Sequence, residues 1–203
     1  MTFARTERRL LADSLLQAGP DAPTVCEGWQ AKDLAAHIVV RDRRADAALA
    51  GFVPPLAARG ERILRATAER PYPELIDAVR TPPWWSPLSN PLTDQAANTN
   101  EMFIHHEDIR RAQTGWEPRP LDPADELTLW KTVKLFARLA LRSYQPVRLE
   151  APGYGVLQLR DGEPRATLTG PPGELALFLS GRQRVAHVEV TGDESLRTAK
   201  LGR

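Results

Sequence analysis

The segment 114–122 limits the fold more than any other feature of this chain. It places Gly115, Pro118 and Pro120 close together, and the apolar pattern changes across it. Glycine and proline at this density interrupt both helices and strands, which makes the segment a boundary. Upstream, apolar residues keep helical spacing. The stretch 3–18 carries Leu11 and Leu15 one turn apart, beside Leu10 and Leu16, and Gly19-Pro20 stops it. The stretch 31–50 is a second helix, closed by Gly51 and Pro54-Pro55. Another covers 56–69, and Pro73 opens a short one through Val79, because its fixed φ suits a first helical turn. A proline-rich loop with Trp84-Trp85 spans 81–92, and a helix follows over 93–113. The upstream part therefore reads as a bundle of about four principal helices.

Downstream, a long amphipathic helix covers 123–143, with Leu127, Trp130, Val133, Leu135, Phe136, Leu139 and Ala140 as its apolar content. The runs then shorten. Strands are expected at 147–150, 155–160, 166–169 and 185–190, with Asp161-Gly162 as a turn signal. A helix at 172–179 ends at Gly181. The predicted fold is α+β, with a helical bundle over 1–115 and a small α+β domain over 116–203. At 203 residues, 42% hydrophobic and 26% charged, the chain can bury a core in each part.

The stretch N-T-N-E-M-F-I-H-H-E-D-I-R-R-A, 98–112, carries the chemistry. Glu101 and His105 are four residues apart with no Gly or Pro between them, so a helix sets them on one face. Asn98 and Asp108 share that face, whereas His106 points about 100° away from His105. His37 lies on the second helix, in phase with Leu34 and Arg41. Two histidines and a glutamate form a three-ligand set that leaves a position for water or substrate, as catalytic rather than structural metals do. Asp108 can accept the other ring N–H of His105 and so fix its tautomer. Zinc is the leading ion, and Fe(II) or Ni(II) suits the same donors. The residues alone also fit a core His105 paired to Glu101, with His37 unrelated.

The formal net charge of +1 calls for no nucleic-acid partner. Arg41, Arg43 and Arg44, and then Arg110 and Arg111, are read as wet helix faces, the last two alternatively as partners of Glu107. No stretch approaches the roughly 18 apolar residues of a membrane span. Cys26 is the single cysteine, so no disulfide closes within the chain. With an N-terminus lacking the apolar core of a signal peptide, the cytoplasm is the expected compartment.

Trp29-x-x-x-Asp33-Leu34-x-x-His37, followed by Glu101-x-x-x-His105-x-x-Asp108, resembles the mycothiol-dependent maleylpyruvate isomerase family. That family lies within the DinB-like metal-binding superfamily. The ending G-P-P-G-E-L-A-L-F-L-S-G-R, then H-V-E-V-T-G-D, resembles the family's small α+β C-terminal domain. The resemblance covers most of the chain and implies a DinB-like four-helix bundle. It carries the family's metal triad onto His37, Glu101 and His105. The implied activity is a metal- and mycothiol-dependent thiol transfer or isomerisation of a small molecule, in which the thiol adds to a double bond, permits rotation and leaves. The resemblance names no substrate, because the N-E-M-F-I-H-H-E-D-I-R-R-A helix is closer to uncharacterised relatives. A hydrolase using metal-bound water, a non-catalytic metal-binding sensor or interaction module, and a purely structural metal remain as alternatives. Monomer and dimer are equally compatible with the sequence.

Arg41 and Arg182 are candidates for binding a carboxylate of substrate or thiol. Cys26 is read as a small loop residue packing near Trp29 rather than as a ligand or redox thiol. Trp84 and Trp85 are read as core packing, with a lid over the bundle mouth as the other reading. Trp29 and Leu34 anchor the second helix, and His187 is a structural strand residue. No glycine-rich phosphate loop is present, and no Ser–His–Asp arrangement stands out.

Overall fold

In the computed structural model the described residues are 1–44, 57–86, 88 and 93–202. They fall into two compact units, Met1–Pro118 and Arg119–Arg203. The architecture is α+β, with a helical first unit and a four-stranded sheet in the second. Among the described residues no helix is long and apolar enough to cross a membrane.

The first unit contains α1 (Phe3–Ala18), α2 (Ala31–Arg43), α3 (Ala57–Ala68), α4 (Tyr72–Arg80) and α5 (Asp94–Arg110). Thr2 caps α1 by accepting the Arg5 N–H. Gly19 ends it at φ 87°, a conformation glycine adopts without a steric penalty, and donates its N–H to the Leu15 carbonyl. Gln30 and Asp33 close a reciprocal capping box at the start of α2. That helix ends at Arg43, where the Arg44 N–H reaches the Val40 carbonyl, and positions 45–50 of the expected 31–50 lie outside the described residues. The expected closing signals Gly51 and Pro54-Pro55 lie outside the described residues.

Four of these helices make the core. Leu11 and Leu15 of α1, Leu34 and Ile38 of α2, Leu75 and Val79 of α4, and Met102 and Ile109 of α5 are buried together. Burial of each such side chain is worth roughly 1.5–3 kcal/mol. α3 buries no residue and adds nothing to this cluster. A buried ion pair crosses the apolar interior. Arg8 donates to both oxygens of Asp42, at 2.6 and 3.3 Å, and to the Val79 carbonyl, tying α1 to α2 and α4.

The second unit begins with α6 (Pro123–Ala140), which buries Leu129, Trp130, Val133 and Ala137. The expected apolar face differs from this one. Leu127, Leu135 and Leu139 are exposed, because the 3.6-residue period places 129, 133 and 137 on the inner side. The sheet runs β2-β1-β3-β4, from β1 (Val147–Ala151), β2 (Gly155–Leu159), β3 (Ala166–Thr169) and β4 (Glu189–Gly192). β1 and β2 form an antiparallel hairpin, so the tight return lies at 152–154. Asp161-Gly162 instead begins the crossover to β3, which is parallel to β1. α7 (Pro172–Leu179) is buried throughout. The expected strand 185–190 starts only at Glu189. The N–H groups of Val185 and Ala186 donate to the Arg182 carbonyl, and that of His187 donates to Glu174 at 2.7 Å, so none is left for the ladder.

Removing one partner of a buried pair strands the other charge. Asp42→Ala should therefore destabilise the first unit by about 3–5 kcal/mol. Asp13→Ala, which removes the exposed pair with Arg80, should cost less than about 1 kcal/mol. Urea unfolding of both variants checks this, and equal losses would contradict it.

Candidate metal centre

α2 and α5 bring His37, Glu101 and His105 together, with one donor atom of each within 4.8 Å of the others. Glu101 and His105 sit one turn apart on α5, and His37 faces them from α2. His37 Nε2 is 3.0 Å from Glu101 Oε1, and His105 Nε2 is 3.3 Å from the same oxygen. The His37 side chain is 31% exposed and that of Glu101 28%, so a small molecule can reach the group from solvent. The Trp29 ring, 5.2 Å from that of His37, forms one wall.

The hydrogen bonds fix which nitrogen faces the group. His105 Nδ1 is 2.9 Å from Oδ2 of the fully buried Asp108. A carboxylate accepts, so Nδ1 carries the proton, and in the neutral ring Nε2 presents a lone pair. That lone pair and the Glu101 oxygen are both acceptors, and only a cation between them makes the contact favourable. In the metal-free protein a proton fills this role. Burial disfavours the charged His105, but Asp108, Cys26 and Glu101 outweigh it and hold its pKa well above the ordinary value. Burial likewise raises Glu101, and hydrogen bonds from His105 and His37 with the nearby charges overcome it, leaving the carboxyl well below its usual range. His37 is lowered, chiefly by burial.

A divalent ion satisfies the same requirement. Ligand bonds of about 2.0–2.2 Å in a tetrahedral shell set donor atoms roughly 3.3 Å apart. The separations here, 3.0 and 3.3 Å, match that, and the two-imidazole, one-carboxylate donor set suits zinc, Fe(II) or Ni(II).

Arg41 turns its guanidinium onto α5. Nη1 donates to Asn98 at 2.6 Å, Nη2 donates to the Ala97 carbonyl at 2.9 Å, and Nε lies 3.3 Å from Glu101 Oε1. It thus steadies the Glu101 carboxylate. Arg182 lies in the second unit, where it donates to the Ser180 carbonyl.

Cys26 departs from the packing role expected of it. Its thiol donates to Asp108 Oδ2 at 3.1 Å, and Cys26, His105 and Asp108 form a second convergent donor group. No spacing in the sequence joins positions so far apart. His106 turns to the other side of α5, with Nδ1 2.9 Å from Glu7 and Nε2 3.1 Å from Ser14. This is a Ser–His–acid chain that the sequence did not bring out. His106 and Glu7 are buried between two packed helices, so it serves as a tie between α1 and α5. Trp84 and Trp85 are 86% and 56% exposed, which overturns the core reading. Arg111 is buried, donates to Glu107 at 2.6 Å and lies 4.9 Å from the Trp116 ring centre, so only the pairing half of its expectation holds.

A family model described as the mycothiol maleylpyruvate isomerase N-terminal domain matches residues 3–110, just over half of the chain. No curated protein and no solved structure matches.

Loss of the group that orients a metal-binding histidine typically weakens metal affinity 10–100-fold. Asp108→Ala should show a loss of about that size. His106→Ala should keep wild-type affinity while losing stability. Competition with a chromophoric chelator measures the first, and thermal unfolding the second. Metal loss in His106→Ala alone would place His106, and not His105, at the metal.

Proposed function

The chain belongs to the mycothiol maleylpyruvate isomerase N-terminal domain family, and from that premise we propose that it binds one divalent metal and uses it in thiol chemistry on a small molecule. The thiol is mycothiol, and the reaction is its transfer to the substrate or an isomerisation through a transient adduct. The observation that carries the reading is the aim of His37 Nε2 and His105 Nε2 at one oxygen of Glu101. A divalent ion bound there lowers the pKa of a thiol at its open position, so the nucleophilic anion is available at neutral pH.

Each surrounding residue has a task in this reading. Asp108 holds the His105 ring so that Nε2 faces inward. Arg41 keeps the Glu101 carboxylate in place, with Nε 3.3 Å from the oxygen that the two histidines face. Trp29 covers the His37 ring and limits water on that side. The partial exposure of His37 and Glu101 leaves a route for thiol and substrate.

Elemental analysis beside His37→Ala, then mycothiol titration of the cobalt-exchanged protein, tests this. The expected result is one metal per chain, lost in His37→Ala, with visible bands that change on adding mycothiol. Metal without a thiol response, together with ester or amide turnover in the absence of thiol, would replace the proposal with a hydrolase. Metal without thiol response or turnover would leave a sensor or a structural ion. Absence of metal after reconstitution would remove the proposal.

A further inference from the structure

A cavity of about 530 Å³ lies in the first unit, and none of the three metal-centre residues lines it. Its wall includes Arg5, Arg8 and Arg9 of α1, Arg80 at the end of α4, Trp84 beyond it and Asp94 at the start of α5. The volume is within the roughly 300–1,000 Å³ common for small-molecule sites.

The charges in this wall do not cancel. Arg8 is neutralised by Asp42, to which both its terminal nitrogens donate. Arg5 lies 3.3 Å from Asp94, and Arg80 lies 2.6 Å from Asp13. Arg9 has no carboxylate partner among the described residues. Four guanidinium groups thus face three carboxylates, which leaves one positive charge. The Arg80 pair is solvent-exposed and weak, Arg5 is itself half-exposed although its partner Asp94 is buried, and a guanidinium has five N–H donors, so both can turn spare donors to an incoming anion. Beside them stands Trp84, an indole that is 86% exposed. Exposed arginines with a planar apolar ring match a ligand that is itself planar, apolar and anionic. Guanidinium pairs with a carboxylate through parallel N–H···O bonds, and the indole stacks on an aromatic ring.

We propose that this cavity is a binding site for a small aromatic carboxylate, with Arg9 holding the carboxylate and Trp84 the ring. The site is independent of the metal and of the thiol reading.

The test is calorimetric titration of the full chain with 2-naphthoate, with 2-naphthamide as the uncharged ring and inorganic phosphate as the charge without a ring. The expected result is one saturable site for 2-naphthoate, binding both analogues about tenfold or more weakly and losing affinity as salt rises. Arg9→Glu should weaken 2-naphthoate about tenfold or more, and Trp84→Ala severalfold. Both side chains are exposed, and circular dichroism checks that the variants fold. His37→Ala should bind 2-naphthoate as the parent does. Unsaturable binding, equal affinity for either analogue, or unchanged affinity in Arg9→Glu would overturn the proposal. Loss of binding in His37→Ala would place the ligand at the metal centre instead, and would leave the thiol reading standing.

Discussion

Two imidazole nitrogens and a guanidinium nitrogen converge on a single oxygen of Glu101. Polar groups taken out of water must be satisfied within the protein, or they cost several kilocalories per mole each. Glu101 meets that demand for His37 and Arg41 of α2 and for His105 of its own helix. The seam between α2 and α5 is therefore polar, while the contacts of these helices with α1 and α4 supply the apolar cluster around Leu34, Ile38, Leu75 and Met102. The polar network extends in both directions along α5, through Asn98 to Asp94 and through His105 to Asp108.

α5 has work on every face. Met102 and Ile109 enter the core, His106 meets Glu7 and Ser14 of α1, and Glu107 holds Arg110 and Arg111. A helix used on all sides has no apolar stripe to set against a wet one. Asn98, Glu107 and Asp108 are polar and yet buried. Each is bound to a partner from the same helix or a neighbouring one, and that pairing makes the burial tolerable.

Much of the fold could be read from local signals. The first helix ends where Gly19 and Pro20 predict. Helical period alone separates His105 from His106. It could not bring in His37, which is far away in the chain and enters as a third donor on another helix, with the family resemblance beside it. Tertiary contacts account for most of what stayed hidden. No local signal marks Arg8 of α1 as the buried partner of Asp42 of α2. Cys26 looks like filler until the Val25 N–H docks its loop on the Asp108 carbonyl. The run at 185–188 has strand composition, but a side-chain carboxylate and a turn take its amides.

The adjacent histidines of α5 set a condition on how this protein can change. His105 serves one neighbour and His106 another, about 100° apart around the same axis. A single inserted or deleted residue upstream of Glu101 would turn both imidazoles away together, breaking two interhelical connections in one event. Side-chain replacements on this helix can be absorbed one at a time, but a change in its length cannot. Variation among descendants of this chain is thus expected to spare the residue count of α5 even where residue identity drifts, with insertions and deletions confined to the loops before and after it.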